Sequence, residues 1–129
     1  MANTINSTKL FLGIDGGGST CRARLSDAHN NILGEGKAGP ANFRLGLPQV
    51  MQQIETATQL ALEQAGLGRQ PFNTVHAGIG LAGAVLEGDQ QLALPIKNLF
   101  ATCILSDDAY IACLGAHQGK PGGIIILGT

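Results

Sequence analysis

Residues that could do chemistry cluster near the start of the chain, in the stretch LFLGIDGGGSTCRARL (residues 10–25). An apolar run ends there in an acid, and three glycines and two hydroxyl residues follow: Asp15, Gly16, Gly17, Gly18, Ser19 and Thr20. Successive backbone N–H groups in a glycine-rich turn form a nest that attracts an anion such as a phosphate. Asp15 would then hold a divalent cation through water, since Mg²⁺ keeps most of its water ligands. A tight structural hairpin is the alternative interpretation.

Asp15 favours a ligand site over a purely structural turn. A carboxylate beside an anion nest would repel the anion unless a metal ion bridged the two. The stretch is not a Walker phosphate loop, because GxxxxGK[ST] is absent and no helix is predicted after the glycines. It is not a dinucleotide-binding fingerprint either. The following CRARL alternates like a strand, with Arg22 and Arg24 on its solvated face.

A second acidic site lies in SDDAY (residues 106–110). Asp107 and Asp108 end a predicted strand and begin a predicted helix. Helix capping alone accounts for such residues. Phosphoryl transfer, however, needs a carboxylate that accepts or orients the proton of the attacking hydroxyl. One aspartate would cap the helix while the other faces the ligand.

Two further loops carry candidate ligand contacts. Asn42, in GPANFRLG (residues 39–46), offers a hydrogen-bond donor and an acceptor together, which suits sugar hydroxyls. An ordinary turn or helix-entry asparagine is the alternative at that position. Gly83, in GLAGA (residues 80–84), would let a ligand approach the backbone closely.

The hydrophobic pattern predicts the elements that position these residues. Strands are predicted over residues 9–14, 21–25 and 32–39, followed by an amphipathic helix over 47–65. Strands and helices then alternate, with strands over 74–83, 102–108 and 122–129 and helices over 88–98, stopped or kinked near Pro95, and 108–118. The order βββ-α-β-α-β-α-β predicts an α/β fold with a mixed sheet and helices on its faces. The carboxyl ends of its parallel strands should bring the acids and glycines to one edge.

Composition excludes several classes of function. The chain has 129 residues, 44% of them hydrophobic and only 13% charged, with a net charge of −1. There is therefore no basic field to attract nucleic acid or an anionic membrane, and no apolar run approaches the length of a membrane span. The N-terminus lacks the pattern of a signal peptide, so a cytoplasmic location is expected. Cys21, Cys103 and Cys113 have no metal-site spacing and are expected to be reduced thiols.

Four motifs together resemble those of the BadF/BadG-type ATPase family, within the sugar-kinase and actin superfamily. GIDGGGST is similar to the family's first phosphate motif, and GLAGA, SDDAYIACLGA and GGIIILGT follow in the family's order. The resemblance extends over residues 10–129 and is strongest to the N-acetylglucosamine and glucosamine kinases. It implies a ribonuclease H-like (actin-like ATPase) domain. It also implies ATP- and Mg²⁺-dependent phosphorylation of an amino sugar, at the C6 hydroxyl.

The resemblance further implies a role for each candidate residue. Asp15 would lie on the metal side of a first phosphate loop made of Gly16, Gly17, Gly18, Ser19 and Thr20. The sugar would contact Asn42, Gly83 and Asp107. Asp108 would be the catalytic base, since it matches the acid of the family's DA pair. Gly128 and Thr129 match the start of a second phosphate motif, which normally reads GTGS.

The sequence stops after the first two residues of that second motif. Residues 1–121 are therefore expected to be the N-terminal lobe of a two-lobe kinase, and residues 122–129 the first strand of the other lobe. The isolated chain is expected to be inactive and to self-associate through this apolar strand, which carries no charge to protect its edge. Two alternatives remain at this stage. One is an activator ATPase of the 2-hydroxyacyl-CoA dehydratase or benzoyl-CoA reductase type, and the other is a non-catalytic nucleotide-binding assembly module.

Overall fold

Regular elements follow the predicted order in the computed structural model, which describes residues 9–82 and 93–106. The strands are β1 (Leu10–Gly16), β2 (Cys21–Ser26), β3 (Ile32–Ala38), β4 (Val75–Leu81) and β5 (Thr102–Ser106). The helices are α1 (Leu47–Gln64) and α2 (Leu94–Lys97), and two short 3₁₀ turns cover Phe43–Leu45 and Phe72–Thr74. The helix predicted over 108–118 and the strand predicted over 122–129 lie outside the described residues.

The five strands form one mixed sheet in the order β3-β2-β1-β4-β5. The β1–β2 and β2–β3 pairs are antiparallel, whereas the β1–β4 and β4–β5 pairs are parallel. The mixed sheet predicted from the sequence is therefore confirmed. Its three parallel strands end at one edge, where the register places Asp15 beside Gly80 and Gly80 beside Ser106.

Helix α1 matches the predicted helix over 47–65 and ends as its sequence suggests. Pro48 lies in its first turn, where a missing N–H has no consequence. At the other end, Gly66 has a left-handed φ of 77°. Its N–H is donated to the Glu63 carbonyl at 3.0 Å, and the Leu67 N–H to the Leu62 carbonyl at 2.8 Å. This pair of bonds is the Schellman pattern that satisfies the last carbonyl groups of a helix.

Two glycines of β3 allow α1 to lie directly against the sheet. A Cβ atom on Gly34 would overlap the Ala61 carbonyl oxygen, and one on Gly36 would overlap the Ala57 carbonyl oxygen. The helix buries an apolar face here that includes Ile54. Close packing thus offsets the cost of glycine within a strand, since any side chain at these two positions would push the helix away.

Helix α2 is the described part of the helix predicted over 88–98 with a stop or kink near Pro95. It begins at Leu94, and Pro95 lies in its first turn, where no N–H is needed from proline. Residues 83–92 lie outside the described residues. Among the residues described, no helix is long and apolar enough to cross a membrane.

Candidate functional site

The glycine hairpin follows β1 at the edge where the parallel strands end. The Gly17 N–H is donated to the Thr20 carbonyl at 2.8 Å, so Gly18 and Ser19 form the tip. This bond corrects the predicted nest, because the Gly17 N–H serves the hairpin and is not free for a ligand. Within the described residues, the N–H groups of Gly18, Ser19 and Thr20 have no acceptor. Three consecutive donors therefore remain at the tip, which fits an anion.

The three glycines of the hairpin differ in the space around them. None adopts the left-handed φ that favours glycine. A Cβ on Gly16 would overlap the Leu81 side chain and lie 3.2 Å from the Ala41 Cβ, so packing explains Gly16. A Cβ on Gly17 would meet only the Thr20 carbonyl oxygen, at an ordinary 3.4 Å, and one on Gly18 would meet nothing within 4 Å. The described chain thus gives no steric reason for Gly17 or Gly18, and both leave space that a ligand could use.

Backbone hydrogen bonds join the hairpin to the Asn42 loop and to the end of β4. The Ala41 N–H is donated to the Gly17 carbonyl at 3.0 Å, and the Ala82 N–H to the Gly16 carbonyl at 2.8 Å. The Ala82 carbonyl in turn accepts the Phe43 N–H at 2.8 Å. Sequence reasoning missed Ala41 and Ala82, because they act through their backbone and their side chains carry no signal. The three loops that the sequence singled out are therefore brought together.

Asn42 has the structural role that was its alternative interpretation. Its side-chain oxygen accepts the Arg44 N–H at 2.9 Å and caps the 3₁₀ turn Phe43–Leu45. This bond fixes the orientation of the amide, because only the oxygen can accept. The Asn42 Nδ2 has no acceptor among the residues described. It is left as a side-chain donor in the loop whose Ala41 N–H is bonded to the Gly17 carbonyl.

Asp15 supplies the carboxylate of the described site. Its side chain is exposed, and within residues 9–82 and 93–106 the carboxylate makes no hydrogen bond or ion pair. The same residues contain no group of three side chains that could enclose a metal ion. A cation held by one carboxylate, water and phosphate oxygens fits this arrangement.

The two cysteines of the described residues do not take part in such a site. Burial, with a smaller contribution from the nearby Asp15 carboxylate, raises the pKa of the Cys21 thiol to about 12. Burial likewise raises the pKa of the Cys103 thiol to about 12. Both are free thiols and stay protonated near neutral pH, as the sequence predicts for reduced thiols.

Five predicted site residues lie outside the described residues: Gly83, Asp107, Asp108, Gly128 and Thr129. Their predicted roles remain predictions. Three of these residues nevertheless follow closely after described strands in the sequence. Strand β5 ends at Ser106, immediately before the two aspartates, and β4 with Ala82 leads to Gly83. Both strands end at the edge that carries Asp15.

The mixed sheet, the glycine hairpin and the acid at the end of β1 define an α/β domain with a candidate ligand site at one edge of the sheet. The chain belongs to the BadF/BadG/BcrA/BcrD ATPase family, whose pattern it matches over residues 12–129. It is 41% identical over 119 residues to the glucosamine kinase GspK of Vibrio cholerae, with 92% of this chain and 40% of that protein aligned. It is 30% identical over 125 residues to an N-acetylmuramic acid/N-acetylglucosamine kinase of Clostridium acetobutylicum, with 94% of this chain and 40% of that protein aligned.

A solved structure shows the same fold. A Chromobacterium violaceum protein assigned as an N-acetylglucosamine kinase superposes with a TM-score of 0.69 at 31% identity. The superposition covers 88% of this chain and 40% of that one. The predicted family and the actin-like ATPase fold are thus confirmed. The chain spans about 40% of the length of the relatives it matches.

Proposed function

We propose that this chain is part of an ATP-dependent kinase that phosphorylates glucosamine or N-acetylglucosamine at the C6 hydroxyl. The observation that carries the proposal is the joining of the glycine hairpin to the Asn42 loop by backbone hydrogen bonds at one sheet edge. If the hairpin binds phosphate and the Asn42 loop binds the sugar, the bond between the Ala41 N–H and the Gly17 carbonyl holds the two sites close together. Transfer of a phosphoryl group to a sugar hydroxyl needs this proximity. The names of the relatives supply the sugar class.

The phosphate donor would bind at the hairpin tip. The free N–H groups of Gly18, Ser19 and Thr20 would donate to phosphate oxygens, and Gly128 and Thr129 would supply a second contact. Asp15 would hold Mg²⁺ through water. When bound, this ion would neutralise charge on the phosphates.

The attacking hydroxyl would be activated by Asp108. Strand β5 ends at the edge that carries Asp15, and Asp108 follows two residues later in the sequence. A carboxylate at this edge would accept the proton as the hydroxyl oxygen attacks the γ-phosphorus and the bond from that phosphorus to ADP breaks, so that ADP leaves. Asp107 and Gly83 would contact the sugar, and the Asn42 Nδ2 would donate to one of its hydroxyl oxygens.

Turnover would require more than these elements. We assign residues 1–121 to one lobe and residues 122–129 to the first strand of another. Closure of the two lobes would exclude water, so that the sugar takes the phosphoryl group. The 129-residue chain alone should therefore show no sugar-dependent turnover, and its strand over 122–129 should pair with a second copy. The free thiols of Cys21 and Cys103 fit the reducing cytoplasm, where we place the protein.

A coupled assay of ADP release tests the proposal on the full-length protein with a panel of sugars. Glucosamine or N-acetylglucosamine should stimulate turnover, and Asp108→Asn should lower kcat roughly 10²–10⁴-fold while both ligands still bind. Asp107→Asn is the matched control and should retain most of kcat. A larger loss of kcat in Asp107→Asn than in Asp108→Asn would make Asp107 the base. ATP turnover that no sugar changes would contradict a sugar kinase.

A further inference from the structure

The loop between β3 and Asn42 is held at two backbone N–H groups. The Ala41 N–H is donated to the Gly17 carbonyl of the hairpin at 3.0 Å. The Gly39 N–H is donated to the side-chain oxygen of Gln53 at 2.7 Å. The residue between the two donors is a proline, which has no N–H. Every backbone donor between the end of β3 and Asn42 therefore has an acceptor, and one of the two acceptors is a side chain of α1.

Gln53 supplies the main side-chain bond from α1 to this loop. It lies in the second turn of the helix and is half-buried. A Cβ atom on Gly39 would lie 3.1 Å from its Oε1, so the glycine leaves room for the amide to lie against the loop. Gln49, one turn earlier, places its Nε2 3.5 Å from the Pro40 carbonyl oxygen, which is long for a hydrogen bond. The position of the loop on α1 therefore depends chiefly on Gln53.

Loss of this bond would move the loop. Both partners are half-buried, and an N–H left there without an acceptor is unfavourable, so the backbone would shift until water reaches it. Asn42 follows Gly39 by three residues. Its side-chain oxygen is bonded to the Arg44 N–H, so the direction of its Nδ2 follows the backbone of the loop. The hairpin, in contrast, is closed by its own backbone bond and does not depend on α1 for its shape.

We infer that Gln53 is a positioning residue for the sugar site. It holds the loop at Gly39 so that the Asn42 Nδ2 is presented to a sugar hydroxyl, and it touches neither the sugar nor the nucleotide itself. This inference rests on the proposed function, in which the Asn42 Nδ2 donates to the sugar. It gives α1 a role in substrate binding in addition to the burial of its apolar face against the sheet.

Steady-state kinetics of the full-length protein with glucosamine and N-acetylglucosamine test the assignment. Gln53→Met keeps the length of the side chain but has no oxygen, and should raise the KM of the sugar about tenfold, which corresponds to about 1.4 kcal/mol. The kcat should change less than about threefold, because the bond affects binding of the sugar and not the proton transfer. The Kd of MgATP, measured by calorimetry, should equal that of the parent. Gln53→Glu keeps an oxygen that accepts the Gly39 N–H, and should restore most of the sugar affinity.

Gln64→Met is the matched control. The Gln64 Oε1 accepts the Glu35 N–H, also at 2.7 Å, at the other end of α1. Its loss removes the same kind of bond between α1 and β3 without touching the loop, so the KM of the sugar should stay at the parent value.

A merely structural role of Gln53 would lower the melting temperature and leave the KM of the sugar unchanged. Gln53→Asn, whose shorter side chain does not reach the loop, should raise this KM as Gln53→Met does. A parental KM in the folded Met or Asn variant would overturn the inference and leave the kinase proposal standing. An equal rise of KM in Gln53→Glu or in Gln64→Met would also overturn the inference. Absence of sugar binding by the parent would overturn both.

Discussion

Gly36→Ala should lower the stability of the fold without changing ligand binding at the proposed site. The new Cβ would overlap the Ala57 carbonyl oxygen, lie 2.8 Å from the Ala61 nitrogen and lie 2.9 Å from the Leu60 Cβ. Two of these three atoms are backbone, so no side-chain rotation relieves the contact, and α1 must move away from β3. Overpacking of this kind costs about 1–3 kcal/mol, and a backbone clash belongs at the upper end of that range.

The reduced freedom of the unfolded chain offsets about 0.5 kcal/mol of that cost. The net loss is then about 2 kcal/mol. At roughly 2–4 °C per kcal/mol, the range for larger proteins, the melting temperature should fall by roughly 4–8 °C. Thermal unfolding of the full-length protein measures it. Gly18→Ala is the matched control, because its Cβ meets nothing within 4 Å.

Gly18→Ala should melt within about 1 °C of the parent, since substitutions away from buried features change stability little. It should nevertheless weaken MgATP binding, whereas folded Gly36→Ala should bind MgATP normally. A Gly36→Ala protein that melts with the parent would refute the close packing of α1 on β3. A Gly18→Ala protein that loses stability would show that the hairpin glycine serves the fold.

Three further changes test other parts of the structure. Gly17→Val should raise the Kd of MgATP at least tenfold and spare sugar binding in calorimetry, because its methyl groups enter the phosphate space; the opposite pattern would assign the hairpin to the sugar. Thr58→Val should raise the free energy of unfolding in urea by about 1 kcal/mol, because the buried Thr58 hydroxyl has no partner among the described residues; a clear loss would show a hidden partner. The raised pKa of Cys21, about 12, means that the folded state holds a proton that the unfolded thiol loses near pH 9. The contribution of this thiol to the free energy of unfolding should thus be fully present below pH 9 and be lost as the pH rises towards 12. Cys21→Ala should make the loss of stability over this pH range smaller. An unchanged dependence on pH would mean that the thiol ionises in the folded state.

Patterns of residue type predicted the elements because those patterns follow from burial. In α1 the apolar residues recur every three or four positions, and in CRARL they alternate with arginines. Both patterns indicate which side of the element faces the core, and the structure buries those sides. The convergence of strand ends followed from the order of strands and helices. Asp15 could be predicted as a site residue because an acid at the end of a buried strand contributes nothing to the packing of the core.

Hydrogen-bond partners were beyond the reach of the sequence. The glycine run predicted a nest, but only the closed hairpin shows that the Gly17 N–H is already used and that the free donors begin at Gly18. The Asn42 amide could face either way until the Arg44 N–H fixed it. Each of these outcomes depends on tertiary contacts that residue types do not record.

Identification of the reaction product tests the central claim most directly. The full-length protein would be incubated with MgATP and either glucosamine or N-acetylglucosamine, and the mixture analysed by mass spectrometry and ³¹P NMR. The account predicts an amino sugar that carries one phosphate on C6, formed in equal amount to ADP and formed roughly 10²–10⁴-fold more slowly with Asp108→Asn. Inorganic phosphate and ADP with no phosphorylated sugar would contradict it.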